Sequence, residues 1–370
     1  MEEPRDRLEN GIALCLSGGG YRAMLFHVGA LIRLNELRYL PKLDRISSVS
    51  GGSITAAALA ANWGQLRFDD DGVAAKLGDQ LVDPVRTLAG RTVDRGSVWG
   101  GIFTRGTVAE KVAGAYRKHL LGTARLDELP DRPRFVFNAT SVQTGALWRF
   151  SKPYMADYKV GLIPEPKVEL AVAAAASSAF PPVLSPLRLK LNPDDFSLDD
   201  RGPLHREPFT TEAVLSDGGV YDNLGLETAW KRYRTVLVSD GGGQLSPDPK
   251  PKSDWAHHAV RVGSVVDNQV RSLRKRQTIA GFERGDRKGT YWGIRSDIDD
   301  YDPPDGGLPC PSELTLELAK TKTRLRKMDR KLQERLINWG YAICDAAMRT
   351  WVEPGGAKPA DFPYPQAGVG

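Results

Sequence analysis

One stretch near the amino end, residues 12–23 (IALCLSGGGYRA), restricts the fold of the chain more than any other. Its five apolar residues, Ile12 to Leu16, are too few for a helix and are bounded by glycines, which indicates a buried strand. After the turn at 17–20, apolar residues recur every three or four positions from Ala23 to Leu37, which predicts a helix. Glycines permit positive φ, and free amides at a helix start favour negative charge. The stretch is therefore predicted to be a strand, glycine turn and helix that binds an anion.

Two kinds of anion fit such a turn. One is a dinucleotide pyrophosphate, since Gly18, Gly20 and Ala23 match the G-x-G-x-x-G/A pattern. That pattern also needs an acidic residue at the end of the next strand, and here Asp44 precedes the strand predicted from Arg45 instead. The other is the oxyanion of an acyl-transfer intermediate, which needs a nucleophile at the same edge of the sheet.

A nucleophile is offered by residues 46–54 (ISSVSGGSI), a predicted short strand that enters an alanine-rich helix through two glycines. Ser50 lies at the bend, as in a nucleophile elbow, where small residues two before and two after the serine let strand and helix cross closely. Gly52 meets this requirement, and Ser48 stands where glycine is usual. The alternative is that Ser50 only caps the helix.

A third segment, residues 214–225, is predicted to be a strand that ends in Asp217 and is followed by a glycine turn. With this segment, the chain resembles the patatin-like phospholipase family, whose members share a glycine-rich oxyanion loop, a serine elbow and a D-G-G/A motif. Ser17 differs from the aspartate that many members carry at the start of the loop. The matching segments are 17–23 (SGGGYRA), 48–52 (SVSGG), 217–219 (DGG) with its extension 222–225 (DNLG), and the small-residue block 173–182 (AAAASSAFPP).

The resemblance implies a three-layer α/β patatin-like fold, and the alternation of strands and helices favours a mostly parallel central sheet covered by helices on both faces. It also implies a lipid acyl hydrolase, a serine esterase of the phospholipase A or lysophospholipase type, with a catalytic dyad. Ser50 is the expected nucleophile and Asp217 the expected base, while Arg22 orients the loop or a phosphate headgroup, or pairs with a nearby acid. The expected oxyanion-hole donors are the backbone amides of Gly18, Gly19 and Gly20.

Two alternatives concern the base. Asp240, in residues 239–243 (SDGGG), also precedes glycines at the end of a predicted strand, although Asp217 continues the family pattern better. A Ser-His-Asp triad is the other, but no histidine lies in a strand-end loop with a recognisable pattern. The five histidines are His27, His119, His205, His257 and His258.

Composition sets wider limits. With 41% hydrophobic and 26% charged residues, the chain has the composition of an ordinary globular protein with one large domain or two. The net charge of +5 suits an anionic lipid surface or a solvated basic face, and no nucleic-acid partner is expected. The three cysteines suggest neither a disulfide framework nor a metal site, and no cofactor is expected. Without an apolar run at residues 1–11 or a span of about 20 apolar residues, we expect a cytoplasmic or peripheral membrane protein.

The expected organisation is a tail at 1–10, a catalytic domain at 11–310 and a C-terminal part at 311–370 packed on it. Residues 64–133 are expected to be an insertion, in which 98–103 borders an acyl pocket, acts as a lid or packs as an ordinary loop. A helix is predicted from Trp255 to about Ile279. A long amphipathic helix is predicted from about Glu313 to Trp351, and its basic segment 320–335 either faces solvent or rests on anionic lipid.

Two further function classes stay open at this point. One is a nucleotide-binding enzyme that uses the glycine turn. The other is a non-catalytic lipid-binding or interaction protein with the same fold.

Overall fold

A ten-stranded sheet organises the part of the chain that the structure, a computed structural model, describes: residues 8–94 and 107–370. The strands are β1 Glu9–Leu16, β2 Arg45–Val49, β3 Arg134–Ser141, β4 Leu147–Phe150, β5 Tyr154–Asp157, β6 Gly161–Pro164, β7 Leu187–Lys190, β8 Glu212–Asp217, β9 Tyr233–Asp240 and β10 Lys288–Gly293. The α-helices are α1 Gly20–Glu36, α2 Gly51–Ala61, α3 Asp83–Ala89, α4 Val108–Tyr116, α5 Leu170–Ser177, α6 Gly219–Asp222, α7 Glu227–Trp230, α8 Trp255–Glu283, α9 Ser312–Ala319 and α10 Arg330–Trp351.

The sheet has a parallel half and an antiparallel half. Strands β10, β9, β1, β2 and β3 lie side by side and are all parallel. From β3 onward, β4, β5 and β6 follow as antiparallel neighbours, and β8 pairs antiparallel with β3 and β7. The expected parallel sheet is therefore found in the first half only. In the second half short turns join β4 to β6, and such turns can connect only antiparallel strands.

Helices cover both faces of the parallel half, as expected. The alternation along β1 shows this directly, because Leu14 and Leu16 belong to a large apolar core while Ala13 and Cys15 belong to a small one. The large core lies under α1, α2, α5 and α10. The small core lies under α7 and the C-terminal end of α8. The result is three layers with unequal cores.

Helices α1 and α10 cross at unusually short range. A Cβ atom added to Gly29 would lie 1.9 Å from the carbonyl oxygen of Ile337, and one added to Gly340 would lie 1.9 Å from that of Phe26. Only glycine permits this contact, which buries nearly all of α10 from Gln333 to Arg349. The C-terminal helix is thus part of the main core, directly behind the helix that starts at the glycine turn.

The prediction of one helix from Glu313 to Trp351 is wrong. Helix α9 ends at Ala319, and α10 begins after Asp329, whose side chain caps it by accepting a hydrogen bond from the Leu332 amide at 2.9 Å. The intervening residues 320–329 are not helical because they cross the start of α1, where the carbonyl oxygen of Arg324 accepts a hydrogen bond from the Tyr21 amide at 3.1 Å. Residues 320–335 therefore form no continuous basic helix face.

Residues 64–133 include helical segments. They contain α3 and α4, and Thr107 and Glu110 form a capping box at the start of α4. The segment 98–103, predicted to border a pocket or act as a lid, lies outside the described residues. No helix in the described ranges is both long enough and apolar enough to cross a bilayer.

Candidate active site

Ser50 occupies a strained bend between β2 and α2. Its φ of 51° and ψ of −118° lie in a region that non-glycine residues rarely adopt, which is the backbone geometry of a nucleophile elbow. The strain is held by a hydrogen bond from the Ser50 amide to the Ser177 hydroxyl at 3.0 Å and by the close packing of α2. A Cβ added to Gly51 would lie 2.2 Å from the carbonyl oxygen of Gly20, and one added to Gly52 would lie 2.4 Å from that of Leu16.

Ser48 fits where glycine is usual because its side chain is fully bonded. Its hydroxyl donates to the carbonyl oxygen of Val136 at 3.3 Å and accepts from the Ser53 hydroxyl at 2.9 Å. The buried Ser48 hydroxyl therefore has both an acceptor and a donor. Hydrogen bonds among the buried serines Ser48, Ser53 and Ser177 hold the strand and the helix of the elbow together.

Asp217 meets Ser50 because two strands share one edge of β3. Strand β2 runs along that edge until Val49 pairs with Asn138, and Ser50 follows. Strand β8 runs along the same edge in the opposite direction and ends with Asp217 paired to Ala139. Since Asn138 and Ala139 are consecutive, the ends of β2 and β8 point at each other. The sheet register thus brings the predicted nucleophile and the predicted base together.

The Asp217 carboxyl is only 3% exposed. Burial raises the pKa of this carboxyl to about 6, and hydrogen bonding with the Ser50 hydroxyl and the Gly219 amide opposes the rise. The Gly219 amide donates to Oδ1 at 2.7 Å. Among the described residues, Oδ2 has no partner at standard hydrogen-bond distance and angle, so the contact with Ser50 is looser than an ordinary hydrogen bond. One carboxylate oxygen is thus fixed, and the other is available for a proton.

The glycine turn packs directly on the elbow. Gly19 and Gly20 have φ of 147° and 59°, and a Cβ added to Gly18 would lie 3.1 Å from Cβ of Ser50. The Gly18 amide donates to the carbonyl oxygen of Asn223 at 3.0 Å, so it is already engaged, contrary to its expected availability as an oxyanion donor. The amides of Gly19 and Gly20 donate no hydrogen bond within the described residues. Both amides are therefore free donors close to Ser50.

Arg22 holds the turn in place through hydrogen bonds to two backbone carbonyl groups. Its Nε donates to the carbonyl oxygen of Gly241 at 3.1 Å and its Nη1 to that of Thr321. Nη2 is buried and has no hydrogen-bond partner in the part of the chain that the structure describes. Burial lowers the pKa of this guanidinium to about 10, and the nearby negative charge of Asp240 opposes the change. Arg22 therefore bonds to carbonyl groups, not to a carboxylate as one reading of the sequence expected.

A cavity of about 470 Å³ opens above these groups, within the range of small-molecule sites. Gly20, Arg22 and Ser50 line its floor. Its walls come from residues 178–184, 243–246 and 319–325. The charged residues that line it are Arg22, Asp94, Arg295, Lys320, Lys322 and Arg324, so basic groups predominate.

The alternative bases are placed elsewhere. Asp240 accepts hydrogen bonds from the Gly242 amide at 2.8 Å and the Tyr291 hydroxyl at 2.7 Å, and its strand is separated from β2 by β1. His27 is buried between the Ser239 hydroxyl and the carbonyl oxygen of Ser17, and burial lowers the pKa of its ring to about 4. None of the five histidines, all of which lie in the described ranges, lines the cavity.

Sequence reasoning missed two contributors to the site. Ser177 binds the amide of Ser50, and it could have been singled out because it belongs to the small-residue block 173–182. The segment 319–325 forms a cavity wall, but its helix-like spacing of apolar residues concealed that role.

Comparison with known proteins gives a consistent result. The family model described as Patatin-like phospholipase matches residues 14–230. Among solved structures, human GIVD cytosolic phospholipase A2 aligns with a TM-score of 0.54 at 13% identity, covering 92% of this chain and 60% of that one. The same protein in complex with methyl gamma-linolenyl fluorophosphonate gives 0.50 at 15% identity, covering 92% and 59%. At these identities the likeness shows the fold, and the chain spans about 60% of the length of these structures. No curated protein sequence matches the chain.

Proposed function

Because this chain belongs to the patatin-like phospholipase family, we propose that it is a lipid acyl hydrolase of the phospholipase A or lysophospholipase type. One observation carries the proposal: β2 and β8 approach the same edge of β3 from opposite directions, so that Ser50 and Asp217 face each other. An aspartate placed against an elbow serine, with no histidine lining the cavity, favours a dyad over a triad.

In the proposed first step, Oγ of Ser50 attacks the ester carbonyl carbon while Oδ2 of Asp217 takes the hydroxyl proton. The tetrahedral intermediate collapses, the carbon–oxygen bond to the alcohol breaks, and Asp217 returns the proton to the departing alcohol. Water then attacks the acyl-serine, again giving its proton to Asp217. Release of the carboxylic acid returns that proton to Ser50.

The environment of Asp217 supports its role as the base. A carboxylate in water is too weak a base to take a proton from a hydroxyl efficiently, and burial brings its pKa up to about 6. The group still loses its proton by neutral pH. Since the Gly219 amide fixes Oδ1, Oδ2 is the oxygen that remains available for the proton.

The free amides of Gly19 and Gly20 are the proposed oxyanion hole. They lie at the start of α1, where the helix dipole favours negative charge, and a donor already ordered before reaction stabilises the intermediate most effectively. In this proposal Gly18 lets the turn approach Ser50 closely but donates no hydrogen bond to the oxyanion. Arg22 holds the turn in position through its hydrogen bonds to Gly241 and Thr321.

Covalent labelling with an alkyl fluorophosphonate, followed by peptide mapping, tests the proposal. We expect the label on Ser50 and its loss in Ser50→Ala. Ser53→Ala is the matched control, since Ser53 lies one helical turn away and its hydroxyl bonds to Ser48 and Ser177. A label on another residue, or equal labelling of Ser50→Ala, contradicts the proposal.

The base is tested by ester hydrolysis in Asp217→Asn and Asp240→Asn. The first is expected to lose nearly all activity. The second is expected to keep most of it, because asparagine can still accept from the Gly242 amide. The reverse ranking would assign the base to Asp240. A panel of phospholipids, lysophospholipids and neutral lipids then identifies the preferred ester.

A further inference from the structure

Between residues 255 and 273, helix α8 exposes apolar side chains, and several of its polar side chains bind the protein. Five apolar side chains spaced three, four or seven residues apart form one stripe on the outside, here called the outer stripe. Trp255 is 85% exposed, and the other four are between 43% and 58% exposed. The members of the outer stripe are Trp255, Val262, Val266, Val270 and Leu273.

The opposite side of α8 binds the body through polar groups. Arg261 donates to the carbonyl oxygen of Ser246 at 2.9 Å, and Oδ1 of Asn268 accepts from the Leu245 amide at 3.2 Å. Further along, the Arg274 guanidinium lies 3.3 Å from the buried carboxylate of Asp222. A surface helix normally buries its apolar stripe and exposes its charges. The reversed orientation therefore points to a second, apolar environment outside the protein.

The charge around α8 identifies that environment. Residues 250–276 hold seven lysines and arginines against two aspartates, a net charge of +5. The whole chain has 51 basic and 46 acidic residues, also +5, so the remaining residues are balanced at 44 of each. An apolar stripe with an exposed tryptophan, accompanied by basic residues, is typical of helices that lie in the interface of an anionic bilayer. The segment that carries the exposed apolar stripe therefore has a net positive charge equal to that of the whole chain.

We propose that the outer stripe of α8 docks the protein on a membrane that contains anionic lipid. This inference rests on the proposed function where it takes the docked lipid as the substrate. A second copy of the chain is a poorer occupant, since a symmetric pairing of stripes would place two +5 segments together. The helix also borders the site. Leu245 and Ser246, which bind α8, belong to the loop 243–246 that forms a cavity wall.

A docked α8 is connected to the cavity through the loop 243–246, which it holds through Arg261 and Asn268.

Vesicle cosedimentation tests the docking surface. We expect the full chain to bind vesicles of phosphatidylcholine with a minority of phosphatidylserine, to bind phosphatidylcholine alone weakly, and to lose binding as salt is raised. The double variant Val262→Glu/Val266→Glu should bind about tenfold less or weaker still, because two exposed valines no longer enter the bilayer. The matched control, Val142→Glu/Leu198→Glu, changes two exposed apolar residues that do not belong to α8 and should bind as the wild type does.

Two further measurements separate docking from catalysis. Ser50→Ala should bind vesicles as the wild type does, and Val262→Glu/Val266→Glu should hydrolyse a soluble short-chain ester normally while losing activity on vesicles. Docking without any hydrolysis would reject the proposed function and keep the docking surface. Equal vesicle binding by the wild type and the α8 variant would overturn the docking surface, as would no binding by the wild type. A wild-type dimer that Val262→Glu/Val266→Glu converts to monomers in light scattering would also overturn it, in favour of a second copy.

Discussion

Replacing Asp217 with asparagine is expected to inactivate the protein and to stabilise it. The carboxyl lies in the sheet at the end of β8, only 3% exposed, and must be ionised there to act as a base. Asparagine keeps an Oδ1 that can accept from the Gly219 amide, now at 2.7 Å from the carboxylate. The substitution therefore removes the buried charge while preserving the local hydrogen bond.

The size of the effect follows from the pKa of the carboxyl. Burial raises it from 3.8 to about 6 in the folded protein. A folded-state pKa above the unfolded value gives stability that is complete below about pH 3.8 and is lost as the pH rises through about 6. At about 1.36 kcal/mol per unit, the wild type loses about 3 kcal/mol of unfolding free energy between acid and neutral pH. Asp217→Asn has no such loss.

Urea unfolding followed by tryptophan fluorescence measures this difference. At about pH 8, the unfolding free energy of Asp217→Asn should be higher than that of the wild type, and most of this advantage should disappear at about pH 4. The change in the advantage between the two pH values should be about 3 kcal/mol. Asp131→Asn is the control, since it makes the same substitution at an exposed carboxylate. The reasoning is refuted if Asp217→Asn is no more stable than the wild type at about pH 8, or if its gain is equal at both values.

The remaining predictions concern the pH profile, the helix crossing and the histidines. On a soluble ester, kcat/KM should fall about tenfold per pH unit below about pH 6, because the protonated Asp217 cannot act as a base, and a flat profile to about pH 4 would contradict this. Gly340→Ala should lower the unfolding free energy by about 3 kcal/mol or more, since its Cβ would lie 1.9 Å from the carbonyl oxygen of Phe26. Gly114→Ala should cause no such loss, because the added Cβ meets nothing within 4 Å. Equal stabilities of the two variants in urea unfolding would disprove the contact. His257→Ala and His258→Ala should each keep most esterase activity, because both side chains lie in the exposed start of α8, and a loss of about tenfold or more in either would favour a triad.

Much of the fold followed from local patterns. The predicted strand at residues 12–16 lies within β1, the strand predicted from Arg45 is β2, and the strand predicted to end in Asp217 is β8. The glycine turn is followed by α1 as expected. These predictions depend on apolar periodicity and on glycines, which act within a few residues. The family, which the sequence suggested from its motifs, is confirmed by the match over residues 14–230.

The errors arose where distant contacts override local preference. Residues 320–329 have helix-like spacing, yet they form a loop because Arg324 and Thr321 give their carbonyl groups to Tyr21 and Arg22. The Gly18 amide is engaged for a similar reason, since the carbonyl oxygen of Asn223 reaches it from a segment more than 200 positions away. A pattern within one segment contains no information about such partners.

The sequence by itself determined the parts of the candidate site: a glycine turn after the first strand, a serine at a strand-to-helix bend, and an aspartate before two glycines. Only the tertiary structure decided that Ser50 and Asp217 face each other. That outcome depends on β2 and β8 approaching the same edge of β3 from opposite directions and ending at the consecutive residues Asn138 and Ala139. Strand order and register are set by the hydrogen bonding and side-chain packing of the whole sheet, which no single segment encodes.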